Sequence, residues 1–137
     1  MRLDHVVLWT NEPRVAMDFY TRVVGLEPVR FDEYEAGDAP FPSVRVSGDS
    51  IIDLMRTEGA SATEAMTKVA GSAGHRINHV CLAMTKDEYD ALDRRLQAEG
   101  VDTSARLNHS FGAQGWAPQG YYFADPDGNV VEARYYE

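Results

Sequence analysis

Two histidines and two carboxylates recur in equivalent surroundings along this 137-residue chain. His5 is third in Leu3-Asp4-His5-Val6-Val7-Leu8, and His79 is third in Ile77-Asn78-His79-Val80-Cys81-Leu82. Asp53 closes the run Ser50-Ile51-Ile52-Asp53, and Glu132 closes Asn129-Val130-Val131-Glu132. Neutral imidazole and carboxylate are ligands for Fe(II), Ni(II), Zn(II) or Mn(II). Two His and one carboxylate on one side of an ion leave positions for substrate or oxygen. A fourth protein ligand still leaves room in an octahedral shell for two neighbouring substrate oxygens. A single His in an apolar strand is more often a hydrogen-bonded core residue. The recurrence is what argues for a site. The expected ligands are His5, His79 and Glu132 to one divalent ion, with Asp53 as a fourth candidate. Asp53 is one methylene shorter than Glu, and a solvated strand-end Asp is its competing reading.

The elements that must position these residues also repeat. After each His-bearing run comes a helical pattern. Val15, Ala16, Phe19, Tyr20 and Val23 follow Pro13 and stop at Gly25, and Tyr89, Leu92 and Leu96 stop at Gly100. Gly25 stands 20 places after His5, and Gly100 stands 21 after His79. The turn Asp125-Pro126-Asp127-Gly128 precedes the Glu132 run and is a strong hairpin signal; Ser47-Gly48-Asp49 precedes the Asp53 run. One further strand fits in each copy, over Glu27–Tyr34 and Val101–Leu107. The spacing therefore predicts an α+β chain of two modules, each strand, helix and three strands. They span residues 1–56 and 77–137, with 57–76, rich in Gly, Ala, Ser and Thr, as connector; one helical turn is expected near Thr63–Val69. Glu35–Pro42 and Asn108–Gly120 read as long loops bordering a pocket. Alternation puts His5 with Val7 and Trp9, His79 with Cys81, and Glu132 with Val130 and Arg134. A pseudo-twofold axis between the modules would bring equivalent positions together.

These features resemble the vicinal oxygen chelate superfamily, which includes glyoxalase I, extradiol dioxygenases, fosfomycin-resistance enzymes and bleomycin-resistance proteins. The resemblance covers nearly the whole chain. It rests on Leu3–Leu8, on Asp18-Phe19-Tyr20-Thr21-Arg22-Val23-Val24-Gly25-Leu26, and on Tyr122-Phe123-Ala124-Asp125-Pro126-Asp127-Gly128-Asn129-Val130-Val131-Glu132. It implies paired βαβββ modules whose mixed sheets curve around a metal-binding cleft, with ligand roles at His5, His79 and Glu132. The glyoxalase I pattern has a Glu where this chain has Asp53. The dioxygenase pattern needs only two His and a Glu. The fosfomycin pattern wants a Thr where this chain has Val7. Bleomycin-binding relatives usually lack the ligands, so their retention argues for an enzyme.

The resemblance thus implies a metal-dependent enzyme, either a ring-cleaving dioxygenase or a glyoxalase-like lyase or isomerase, acting on a small substrate that chelates the metal through oxygens. The alternative is a non-catalytic binding or resistance protein. Glu132 is a candidate for moving protons, with Tyr122 and His109 as further acid–base candidates. Trp9, Trp116, Tyr122 and Arg134 are candidate pocket residues; core packing competes for Trp9 and Tyr122, and solvent exposure for His109 and Arg134.

A net charge of -9 argues against nucleic acid as partner. With 44% apolar and 26% charged residues, the chain can build a core. One cysteine, Cys81, permits no intrachain disulfide and suits a reducing compartment. The N-terminal run lacks the pattern of a secretory leader, and no apolar run approaches membrane-spanning length. The expectation is a cytoplasmic protein, a homodimer as many relatives of this size are, with no membrane partner. Whether His5 and His79 of one site share a chain is left open.

Overall fold

The computed structural model describes residues 5–48, 50–62, 77, 80–112 and 115–136, the side chains of 110–116 excepted. Leu3, Asp4, His79 and the expected helical turn near Thr63–Val69 lie outside the described residues, as does the side chain of Trp116.

Strand β1 (His5–Thr10) runs into helix α1 (Pro13–Asp18), which continues as a wider π-helical stretch over Phe19–Val24. Pro13 suits the first turn, where its missing N–H costs nothing, and the Glu12 side chain accepts from the Arg14 amide. Gly25 ends the helix at φ +90, a left-handed conformation that side chains disfavour. Then come β2 (Glu27–Val29), a short helix α2 (Phe31–Ala36), β3 (Ser43–Ser47) and β4 (Ser50–Arg56). The second half repeats the plan with β5 (Val80–Met84), α3 (Lys86–Ala98), β6 (Arg106–Gly112), β7 (Gly115–Ala124) and β8 (Val130–Tyr135). Thr85 and Glu88 form a capping box at the start of α3.

The strands make two four-stranded mixed sheets with one order, β1-β4-β3-β2 and β5-β8-β7-β6. In each, the first strand lies parallel to the last, and the remaining pairs are antiparallel. The registers match as well: Val7 faces Asp53 in one sheet and Cys81 faces Glu132 in the other. This is the α+β arrangement the repeat predicts. Among the described residues no helix is long and apolar enough to cross a membrane.

One face of both sheets is buried under α1 with its π-helical extension and under α3, in a single core. Leu8, Ile52 and Leu54 belong to it with Met17 and Tyr20, as do Leu82, Val131 and Leu96; the Tyr89 and Tyr121 rings meet at 4.7 Å between centroids. The two halves are also joined by polar contacts. Arg95 on α3 donates to the carbonyls of Val23 (2.6 Å) and Val24 (3.1 Å), satisfying acceptors that the helix end leaves over. The β7–β8 turn docks on the other half. Tyr20 Oη donates to Asp125 Oδ2 at 3.1 Å, Asn129 Nδ2 donates to the Trp9 carbonyl at 2.9 Å, and Asp127 accepts from Thr10 Oγ1 and the Asn11 amide. Burial first, then the Asp125 charge, raises the Tyr20 phenol well above its ordinary pKa, so it remains a donor.

Three expected elements differ. The strand over Glu27–Tyr34 stops at Val29, and α2 follows. Arg30 turns the chain at φ +57, and Asp32 and Glu33 then fill the first helical turn, where carboxylates are favoured. The strand over Val101–Leu107 begins only at Arg106. The Ser104 amide donates to Asp102 Oδ1 at 2.8 Å, a local bond that competes with a ladder, and Thr103 Oγ1 ties this stretch to Asp93 on α3 at 2.7 Å. The expected loop Asn108–Gly120 is mostly the β6–β7 hairpin, pairing Asn108 with Gln119 and Phe111 with Trp116.

Asp125 anchors the turn through its own bonds to the Asp127 amide, the Asn129 amide and Asn129 Nδ2 besides Tyr20. Asp125→Ala should cost about 2–4 kcal/mol in urea unfolding, and Tyr20→Phe about 1 kcal/mol. Equal, negligible losses for both would show that the turn does not couple the halves.

Candidate functional site

Because alternate residues of each strand go under the helices, the rest share the opposite face. On the first sheet these include His5, Val7, Trp9, Ser43 and Asp53; on the second, Cys81, Gly120, Tyr122, Glu132 and Arg134. His5 stands two places before Val7, the residue facing Asp53, so His5 and Asp53 share a face on adjacent strands. His5 is exposed and Trp9 half-buried.

Both carboxylates are buried, Asp53 at 7% exposure and Glu132 at 1%. A buried carboxylate needs hydrogen bonds or an opposite charge. Asp53 takes the first route: Ser43, its cross-strand neighbour, donates its hydroxyl to Oδ1 at 2.6 Å. Glu132 takes the second. Arg134, two places along the same strand and 6% exposed, donates from Nε at 2.9 Å and from Nη2, both to Oε1. Arg134 Nη1 also reaches Tyr136 Oη at 3.3 Å. Burial works against the guanidinium charge, but Tyr136, Glu132 and Cys81 outweigh it and the pKa is raised.

Tyr122 and Cys81 flank this pair, both in register with Glu132. Burial raises the Tyr122 phenol, the Glu132 carboxylate raises it further, and Arg134 opposes them; the phenol also hydrogen-bonds Glu132. The Cys81 thiol, open to solvent on one side, is pushed up to about 11 by burial and then by Glu132. It is therefore protonated at neutral pH and a poor nucleophile there.

Gly120 makes room for the carboxylate. A Cβ there would stand 3.1 Å from the Ala133 carbonyl and 3.3 Å from Glu132 Oε1. The backbone demands no glycine at this position; the close approach favours one.

The structure thus gathers Glu132, Tyr122 and Arg134, three of the residues singled out from sequence, and adds Cys81 and Tyr136. Strand parity could have found both additions, since Cys81 alternates with His79 and Tyr136 with Glu132. His109 lies on β6, exposed, at φ +53 and opposite Pro118, which has no N–H to offer the ladder. Among the described residues, no three His, Cys, Asp or Glu groups gather as a metal cluster. His79 is outside that set. His5, Asp53 and Glu132, all described, do not gather by themselves, and Arg134 stands against Glu132. The donor types are nevertheless those a divalent ion takes, carboxylates at equivalent sheet positions with a glycine cradle beside one of them. A cavity of about 250 Å³ lies elsewhere, lined by Gly25, Leu26, Val46, Met84 and Arg95, and touches none of the described candidate ligands His5, Asp53 and Glu132.

The model of the Glyoxalase/Bleomycin resistance protein/Dioxygenase superfamily matches residues 2–133. Solved structures with the same fold include a lactoylglutathione lyase from Agrobacterium tumefaciens, 22% identical, TM-score 0.69, covering 98% of this chain and 92% of that one. An integron cassette protein from the mobile metagenome of V. cholerae is 25% identical, TM-score 0.64, with 100% and 96% covered. An antibiotic-binding protein from a Streptomyces species is 19% identical, TM-score 0.63, with 100% and 97% covered.

Replacing Gly120 by Ala should press on a central-strand carbonyl that cannot yield and on the Glu132 carboxylate. A loss of about 1–2 kcal/mol in thermal or urea unfolding is expected. A gain in stability would mean that the cradle is slack.

Proposed function

Since the chain belongs to the Glyoxalase/Bleomycin resistance protein/Dioxygenase superfamily, we propose that it is a metal-dependent enzyme whose substrate is a small molecule that chelates the ion through oxygens. His5, His79 and Glu132 hold one divalent ion, Fe, Ni, Zn or Mn, with Asp53 as a fourth candidate. The modules 1–56 and 77–137 each supply half of the set, and a homodimer is part of the reading. The observation that carries it is the Glu132 carboxylate. It is buried at 1% exposure on the face away from the helices, at the sheet position equivalent to Asp53, beside a glycine that leaves it space.

A bound divalent ion supplies Lewis acidity to substrate oxygens. The chain's own groups do the rest. Tyr122, with its phenol raised above the ordinary value and beside Glu132, is a proton donor for a substrate oxygen at neutral pH. Glu132 or Asp53 can take up a substrate proton, which suits a lyase or isomerase. Ring cleavage needs only the two His and the Glu, leaving Asp53 as structure. Trp9, on the face of His5, and Trp116 wall the pocket in this reading, with His109 as a further acid–base group.

A second reading has support from one contact. The Arg134 guanidinium pairs with Glu132, which suits a protein that binds a small molecule and does not turn it over.

The deciding experiment is metal loading. Wild-type protein, stripped and then offered Fe(II), Ni(II), Zn(II) or Mn(II), should retain about one ion per chain. Glu132→Gln, His5→Ala and His79→Ala should each lower affinity at least tenfold. Absence of binding for all four metals would leave the sequestering protein as the better description. With metal present, oxygen uptake on catechols marks a dioxygenase, and hemithioacetal turnover under nitrogen marks the lyase or isomerase.

A further inference from the structure

Arg134 stands out because it is a buried cation on the face that carries the ligands. Its guanidinium hydrogen bonds run to Glu132, to Tyr136 Oη and to the Cys81 sulfur. Glu132 is the one carboxylate among these partners. The pair is close to neutral as it stands, and both side chains are nearly closed to water, 7% and 2% exposed.

A divalent ion that uses Glu132 must compete for an oxygen on which two N–H donors already converge. Once the carboxylate belongs to the ion, the guanidinium retains only a hydroxyl and a thiol. A buried guanidinium with no anion is costly, because the lost ion pair no longer offsets its desolvation. The ion also adds two positive charges to a site whose own charges had cancelled. Both effects call for an incoming anion. Guanidinium is well suited to receive one, because its planar fork matches the geometry of an oxyanion. Being i+2 from Glu132 on one strand, Arg134 shares its face and stays within reach of whatever the ion holds.

We propose that Arg134 is a displaceable counter-ion. It occupies Glu132 until a divalent ion takes the carboxylate, and it then anchors an oxyanion, a carboxylate or phosphonate-like group, on the substrate. This rests on the metal-dependent reading above and narrows it to anionic substrates. Arg134 is thereby a specificity-determining residue as well as a brake on metal uptake.

The test measures Zn(II) or Ni(II) affinity by competition with a chromogenic chelator, with the metal alone and then with sulfate or acetate added. Arg134→Gln should bind metal at least tenfold more tightly than wild type, because the competitor is gone. Sulfate or acetate should tighten metal binding in wild type and lose that effect in Arg134→Gln, since coupling between two ligands is reciprocal. The larger of the two effects identifies a tetrahedral or a planar head group. If Arg134→Gln does not fold, Arg134→Lys keeps the charge without the fork and should still bind metal several-fold more tightly than wild type. Equal or weaker metal affinity in a folded variant, with wild type loading normally, overturns the counter-ion alone. No metal in wild type or variants overturns the metal-dependent reading and the counter-ion with it.

Discussion

Side chains alternate across a strand, so committing one face of a sheet to a helix commits the other face to whatever remains. Here Leu8, Ile52 and Leu54 in one half and Leu82, Val131 and Ala133 in the other go under the helices into one shared core. That burial is the main favourable term in folding. It leaves His5, Asp53, Cys81, Glu132 and Arg134 no choice of side. A slip of one residue in any ladder would bury these polar groups under the helices and expose the core. The chemistry-bearing face is thus held in register by the apolar one.

The two halves solve the same local problem in different ways. Equivalent strand positions bear a buried carboxylate, facing Val7 in one sheet and Cys81 in the other. Asp53 is short and is satisfied by the Ser43 hydroxyl from the neighbouring strand. Glu132 is longer and sits against a guanidinium from its own strand. A neutral hydroxyl leaves a carboxylate its charge, whereas a guanidinium cancels it. The Asp125 turn adds to the asymmetry: it clamps the start of β8 to the end of β1 through Tyr20, Thr10 and the Trp9 carbonyl. Glu132 therefore lies two strand positions beyond a well-anchored point.

Much of the fold was readable in the sequence because the repeat is carried by short, strongly patterned runs. The helix stops at Gly25 and Gly100, the hairpin turn Asp125–Gly128 and the two carboxylate-bearing strands all stand where their residue types put them. What the pattern hid was local competition. Helix α2 escaped notice because Glu27–Tyr34 begins with strand formers, while Arg30 and the acidic pair that turn it helical are polar residues common in loops. The β6–β7 hairpin escaped because Gly112, Gly115 and Pro118 look like loop residues although the backbone pairs around them. At the site, alternation put Arg134 on the face of Glu132, and Tyr122 was a pocket candidate. Parity cannot say that an i+2 neighbour folds back onto a carboxylate, since that depends on a long side chain choosing its partner in three dimensions. Gly120 was invisible for a related reason: its importance lies in an oxygen approaching from another strand.

The central claim, that His5, His79 and Glu132 hold one divalent ion, is tested most directly by X-ray absorption at the metal edge of Zn- or Ni-loaded protein. The ligand set predicts two imidazole rings with carboxylate oxygens completing the near shell, and loss of one imidazole contribution in His79→Ala. A shell of oxygens alone, or one containing sulfur from Cys81, would contradict it.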